Sequence, residues 1–352
     1  MAFSPDYRHM ADVARNAKPA RLPLYEHTVS GEVMEKVLGV EFAGLAWGKN
    51  RDLGEFFRQF CRFFKEMTYD VVSFEVGVCP ILPGPGALSG GGPGPIQSRE
   101  DFDKYPWDDI PRRFWSQAGP RFDALVEALP PGMKIVGGAG YGVFEISEYL
   151  TGLEYLPFIM IDEPELYADL YNRIGDMLCA IWAEMVKRYR DSFVICRIGD
   201  DMGFKSSLLT TPATVRDHVL PQYRRIIKIV HDAGLPFLLH SCGCIFEVME
   251  DIIAMGIDAK HSNEDAIAPF DRWIADYGDR IGLMGGFDMD FLCTKSEGDI
   301  YEAVLEQGRR FRATAKGYAL GSGNSIPEYV PVENYLAMVR AAQSLRAEES
   351  SA

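Results

Sequence analysis

The strongest constraint on this chain is the rhythm of its apolar segments. Short apolar runs that read as strands lie at 21–27, 70–76, 134–140, 193–201, 236–243, 258–264, 281–288 and 317–324. Amphipathic helical patterns lie between most of them, at 53–67, 121–129, 164–190, 212–233, 245–255, 269–277 and 300–315. A last one runs from 332 to 346. Run length and the Gly and Pro residues at the flanks separate the two classes. Asp162 ahead of Pro164, and Thr211 ahead of Pro212, are helix starts; Gly234 and Gly256 are stops. Eight strands alternating with helices predict an α/β fold, a (β/α)8 TIM barrel, as one domain over residues 1–352. A doubly wound open sheet is the alternative. No Gly-X-Gly-X-X-Gly follows the first strand, which counts against a dinucleotide-binding version of it.

Composition narrows the partners. The formal charge of −15 argues against nucleic acid, which needs a basic surface. No uncharged apolar stretch is long enough for a membrane span, and no signal peptide is read at the start. The seven cysteines, Cys61, Cys79, Cys179, Cys196, Cys242, Cys244 and Cys293, are odd in number and lack the spacing of a small disulfide framework. A cytoplasmic protein with reduced thiols is expected. The segment 77–94 is rich in Gly and Pro and too long for a simple connection, so it is either a lid or a surface excursion.

Barrels place their chemistry at the carboxyl ends of strands. Those ends carry Glu26 and His27, Glu75, Tyr141 and Glu145, Asp200 and Asp201, His240 and Cys242, Asn263 and Glu264, Asp288, and finally Ser322 and Asn324. Some of these must cap helices or brace turns instead. His240 and Cys242 stand out: two residues apart at a strand end, they share a face. With Glu264 on the next strand they offer nitrogen, sulfur and carboxylate donors, a set that zinc accepts with a position left for substrate. The plainer reading is a core histidine beside a buried thiol. Of the adjacent acids, the reading places Asp200 at the mouth and Asp201 as the brace.

An ordered set of motifs runs along nearly the whole chain. It comprises Asn16-Ala17-Lys18-Pro19-Ala20-Arg21-Leu22-Pro23, Gly142-Val143-Phe144-Glu145 with Glu148-Tyr149-Leu150-Thr151-Gly152, and Gly199-Asp200-Asp201-Met202-Gly203. It continues with His240-Ser241-Cys242-Gly243 and Gly321-Ser322-Gly323-Asn324-Ser325-Ile326-Pro327, then Glu333-Asn334-Tyr335. In these motifs the chain resembles the uroporphyrinogen decarboxylase superfamily, and within it the cobalamin-linked zinc methyltransferases. The fold this implies is again a (β/α)8 barrel. Authentic decarboxylases carry an Arg-Gln-Ala-Gly-Arg motif after the first strand for porphyrinogen carboxylates; here the chain reads Tyr25-Glu26-His27-Thr28-Val29-Ser30. Acid where guanidinium is needed argues against that substrate.

The resemblance implies His240 and Cys242 as zinc ligands. The second cysteine usual on the last strand is replaced by Ser322. Cobalamin-independent methionine synthase, a distant barrel relative, uses His-X-Cys and then a Glu. That similarity implies Glu264 as the third ligand, with Asp288, Cys244 and Cys293 in reserve. Asp200, Glu145 and Asn263 are the expected catalytic groups. Glu26, His27, Glu75, Tyr141, Asp288, Ser322 and Asn324 are the expected substrate contacts. The implied activity is zinc-dependent methyl transfer between a small methyl compound, such as an O-methyl ether, and cobalamin. No corrinoid-binding Asp-X-His-X-X-Gly is present, so the cobalamin is expected on a separate corrinoid protein. The competing readings are a decarboxylase-like lyase and a non-catalytic ligand-binding barrel.

Overall fold

A computed structural model describes residues 3–87 and 92–351. Its sheet is a single curled layer of parallel strands in sequential order: β1 (Val71–Gly77), β2 (Lys134–Gly140), β3 (Phe193–Gly199), β4 (Phe237–His240), β5 (Ala259–His261), β6 (Gly282–Phe287) and β7 (Tyr318–Ser322). Each parallel step returns through helix on the outside of the sheet, giving the TIM-barrel-like fold read from the sequence. Two apolar clusters divide the core. The larger fills the space between sheet and helices. The smaller lies inside the sheet and includes Val71, Val136, Ile195, Leu238, Ala259, Met284 and Ala319. Met10, Ala11 and Val13 of the N-terminal helix Arg8–Ala14 join that inner cluster and floor the barrel. Among the described residues, no helix is long and apolar enough to cross a membrane.

The first of the eight expected strands is reduced to a bridge. Leu24 pairs with Leu320 of β7; Tyr25 N–H donates to Leu320 O, and Leu320 N–H donates to Pro23 O. Pro23 has no N–H to extend the ladder. Side chains brace this segment further. Ser73 of β1 donates to His27 O at 2.6 Å, and Arg197 of β3 donates to the same oxygen at 2.9 Å. The expected helix at 212–233 also differs, widening into a π-helical stretch at Val215–Val219. Pro221, just beyond it, cannot donate a backbone hydrogen bond, and such bulges absorb the irregularity.

Half of the Gly/Pro-rich loop is anchored on each side. Ala87 N–H donates to Tyr149 O, while Gly94 and Ile96 N–H donate to Thr151 O and Leu150 O. Both arms therefore rest on the helix Val143–Thr151. Residues 88–91 of that loop lie outside the described residues.

Arg197 is fully buried inside the barrel. It pairs with Glu75 through Nη2 at 2.7 Å and Nε at 3.1 Å. Its Nη1 donates to Tyr25 Oη, Ser73 Oγ and His27 O at 2.9, 2.6 and 2.9 Å. Removing one partner of a buried pair strands the other. Arg197→Met is therefore expected to cost about 3 kcal/mol in urea unfolding. A loss below about 1 kcal/mol, the level of an ordinary exposed pair, would contradict this role.

Candidate metal centre

The centre is delivered by β3, β4 and β5. Alternate side chains on a strand share a face. The inward set contains Ile195 and Arg197 on β3, Leu238 and His240 on β4, and Ala259 and His261 on β5. Beyond the strand ends the same parity carries Asp201 and Cys242 toward the axis. His240 and His261 are register partners across β4 and β5.

Their protons can be placed by elimination. His261 Nε2 lies 3.0 Å from the Ser322 carbonyl oxygen, and a carbonyl only accepts, so Nε2 carries the hydrogen. Burial pushes the His261 pKa down to about 3, so the ring is neutral and its Nδ1 is bare. His240 Nδ1 lies 2.7 Å from that bare nitrogen and must be the donor. Burial, with the neighbouring His261 and the Arg197 charge, holds His240 well below the usual histidine range. The neutral His240 ring thus presents an Nε2 lone pair to Cys242 Sγ at 3.3 Å and to Asp201 Oδ1 at 3.9 Å. A ring N–H anchored behind a free imidazole nitrogen is the arrangement that orients histidine ligands in metal sites.

Among the described residues, two groups of three donors converge within 4.8 Å: Asp201, His240 and Cys242, and His27, His240 and His261. In the second group, His240 and His261 already share a hydrogen bond, and His261 Nε2 is committed to Ser322. The first group fits zinc. Bond lengths near 2.0–2.3 Å put tetrahedral donors roughly 3.5 Å apart, and the measured separations of 3.3 and 3.9 Å bracket that edge. Asn324 Nδ2 and Ser262 Oγ also point at Cys242 Sγ, at 3.2 and 3.5 Å. Both are donors that favour a thiolate. Burial, reinforced by Asp201, pushes the free Cys242 thiol up to about 12, so metal would have to displace its proton.

The centre borders a cavity of about 400 Å³ whose lining includes His27, Glu75, Tyr141, Glu145, Asp201, His240 and Asn324. His27 stacks on His240 with ring centroids 3.8 Å apart, and its Nε2 lies 3.9 Å from Glu75 Oε1. Tyr141 turns off β2 at φ +66°, with its ring against Gly77. Burial and the nearby Asp200 and Asp201 hold the Glu145 carboxyl well above the usual range, so it carries a proton at neutral pH.

The sequence profile described as uroporphyrinogen decarboxylase (URO-D) matches residues 93–345. The chain belongs to the uroporphyrinogen decarboxylase family. A solved structure described as a methyltransferase from Methanosarcina mazei superposes with a TM-score of 0.74 at 16% identity, covering 96% of this chain and 98% of that one. That likeness is one of fold. A glycoside hydrolase family 5 enzyme from Prevotella bryantii gives a TM-score of 0.48 at 8% identity, over 97% of this chain and 100% of that one. No curated protein matches the chain.

Within this family fold, several expected site residues stand elsewhere. The assignments of Asp200 and Asp201 are reversed. Asp200 is fully buried and accepts from Phe144 N–H (3.0 Å), Glu145 N–H (2.9 Å) and Tyr223 Oη (2.7 Å). It caps the helix Val143–Thr151, whose own N-cap residue, Gly142, has no side chain. A Cβ on Gly142 would sit 2.3 Å from Asp200 Cβ, so glycine is what lets the cap approach. Asp201 instead lines the cavity and accepts from Cys242 N–H at 2.8 Å.

Glu264 lies outside both donor groups. Its Oε1 is 3.4 Å from Gly243 N, and it lines a separate cavity of about 420 Å³ with Asp288 and Asn324. Strand β5 ends at His261, and Ser262 turns at φ +126°, which breaks the alternation before Glu264. Asp288 caps the helix Met289–Thr294 and accepts from Asp265 N–H. Asn263 is a brace rather than a cavity wall: its Oδ1 accepts from Gly286 N–H at 2.9 Å and its N–H donates to Gly323 O. Glu26 and Ser322 bond to each other beneath the mouth, and burial pushes the Glu26 carboxyl up to about 8. The groups missed by sequence reasoning are His261 and Arg197. Both had a signal, an ionisable side chain within a short buried strand, whose inward direction is read from the fold.

Four outcomes test the centre. His240→Ala and Cys242→Ser should fold but retain no stoichiometric zinc by elemental analysis, and Asp201→Asn should lower zinc affinity far more than Glu264→Gln. His261→Gln, which frees the His240 ring, should cost about 10–100-fold in affinity. Equal losses for Asp201→Asn and Glu264→Gln would reject Asp201 as the third ligand. In the wild type, zinc affinity should rise by about tenfold per pH unit near neutrality, because one thiol proton leaves on binding. A flat profile in competition titrations would exclude Cys242.

Proposed function

We propose that this family member is a zinc-dependent methyltransferase that moves a methyl group between a small methyl compound and the cobalamin of a separate corrinoid protein. The observation that carries the reading is the His240 Nε2 lone pair, aimed by His261, meeting Cys242 Sγ and Asp201 Oδ1 beside an open cavity. When bound, zinc supplies Lewis acidity to a substrate oxygen or holds a substrate thiol as thiolate. Losing the second cysteine to Ser322 leaves one thiolate rather than two, which favours the Lewis-acid use and an O-methyl donor.

The chain's own residues would do the rest. Asp201, His240 and Cys242 would hold the metal. Asn324 and Ser262 would stabilise the sulfur as thiolate through their hydrogen bonds to Sγ. Protonated Glu145 would donate a hydrogen bond, and then a proton, to the oxygen that loses its methyl group. The carboxylates of Glu75 and Asp201 in the lining would repel a polycarboxylate such as a porphyrinogen.

A docking partner is supported by where apolar surface is exposed. Among the described residues, Val40, Trp47, Leu153, Phe158, Ile161, Phe204 and Tyr329 are the large hydrophobic side chains left open to solvent. Each lies between a strand end, or the bridge segment, and the next long helix: Leu53–Glu66, Pro164–Tyr189, Leu220–Asp232 or Val332–Ser351. Apolar side chains gathered at the catalytic end of a barrel suit a protein that must seal against the mouth.

The isolated chain should demethylate nothing. Zinc-loaded chain with added cob(I)alamin or a corrinoid protein should form methylcobalamin from the right donor, read by its absorption spectrum. The panel should span aryl methyl ethers, methanol, methylamines and methylthiols, with methylcobalamin plus a thiol tested in reverse. Silence across the panel, together with decarboxylation of a carboxylated substrate by metal-free protein, would select the lyase reading instead.

A further inference from the structure

A second and larger cavity, of about 780 Å³, adjoins the first and shares Glu75, Gly77 and Pro80 with it. Its walls are aromatic. Phe42, Phe56, Phe60 and Phe74 form a connected set with ring centroids 5.6 Å apart for Phe42–Phe56, 5.7 Å for Phe56–Phe60 and 5.9 Å for Phe60–Phe74. The lining also carries Glu32, Gln117 and the shared Glu75, and a single cation. Arg121 is 8% exposed and lines the cavity. Its guanidinium lies 3.8 Å over the Trp47 ring. Among the described residues its only hydrogen bond is from Nη2 to Ala46 O at 3.1 Å, and it forms no ion pair.

This is unusual for arginine. Its guanidinium opens onto the cavity, and a charge partly withdrawn from water is normally given a counter-ion. The other charge felt at Arg121 is Arg51, which repels it; burial and that repulsion both press its pKa down. Most of its donor fork is left for something else, and a planar fork beside aromatic walls matches a carboxylate carried on a ring. The volume suits a small molecule of that kind.

We propose that this cavity binds a small aromatic carboxylate, with the ring among Phe42, Phe56, Phe60 and Phe74 and the carboxylate on Arg121. Resting on the methyltransfer reading, the same molecule would be the methyl compound, its far end extending past Glu75 toward His240 and Cys242. Arg121 is then a specificity-determining residue set apart from the metal centre.

The test is binding of 4-methoxybenzoate against its neutral analogue 4-methoxybenzamide to metal-free full-length protein, by calorimetry. No metal or corrinoid is needed, so failed methyl transfer and failed recognition are read separately. The wild type should prefer the benzoate by tenfold or more. Arg121→Gln should abolish that preference without weakening the benzamide, and Arg121→Lys should keep part of it. Equal binding of the two probes by wild type, or no binding of the benzoate at millimolar concentration, would overturn the proposal without reference to any variant. So would inorganic phosphate displacing the benzoate at equal concentration, which would mark a phosphate site instead. Unchanged selectivity in Arg121→Gln would assign the arginine to bracing Ala46 and Trp47 alone.

Discussion

One buried cation organises the mouth of this barrel. Arg197 projects from the middle of β3 into the barrel interior and is fully surrounded there. Its fork reaches Glu75 on β1, Ser73 on the same strand, and Tyr25 and His27 on the N-terminal segment. Backbone holds that segment at two isolated bridges, Leu24 to Leu320 and Val29 to Ile326, and side chains add the rest of its attachment. Arg197 also sets the electrostatics. Burial is the main reason that His27, His240 and His261 stay neutral, and the Arg197 charge adds to it at each ring. Neutral imidazoles hydrogen-bond as one donor and one acceptor, and the relay from Ser322 through His261 to His240 needs both.

The relay has a direction because it ends on a carbonyl. Ser322 O can only accept, which fixes His261, which fixes His240. The lone pair released at His240 Nε2 faces sulfur and carboxylate across the space a metal would fill. A second division of labour falls on the adjacent acids after β3. Strand alternation sends Asp200 out to cap a helix and Asp201 in to the cavity. The cap is structural, yet it also holds the helix on which Glu145 stands beside the cavity.

Much of this was legible in sequence. The alternation of apolar runs and helices specified the barrel, and His-X-Cys at a strand end specified two converging donors, because both follow from periodicity. Four things were not legible, each for a physical reason. The run at 21–27 is apolar enough for a strand, but Pro23 removes a ladder donor and leaves a bridge. Alternation says that Asp200 and Asp201 point opposite ways without saying which faces in; that needs an anchor such as Arg197, whose inward position only the fold reveals. Glu264 was placed by spacing, and spacing presumes an unbroken strand, whereas Ser262 turns the chain at φ +126°. Arg121 lay beyond reach entirely, because its lack of an ion pair among the described residues is a property of the packed structure.

The central claim is that His240, Cys242 and Asp201 surround one zinc. X-ray absorption at the zinc edge of the loaded wild-type protein tests it most directly. The account predicts one sulfur scatterer at about 2.3 Å and the remainder nitrogen or oxygen at about 2.0–2.2 Å, with the sulfur shell lost in Cys242→Ser. A first shell with no sulfur, or a sulfur shell that survives Cys242→Ser, would contradict it.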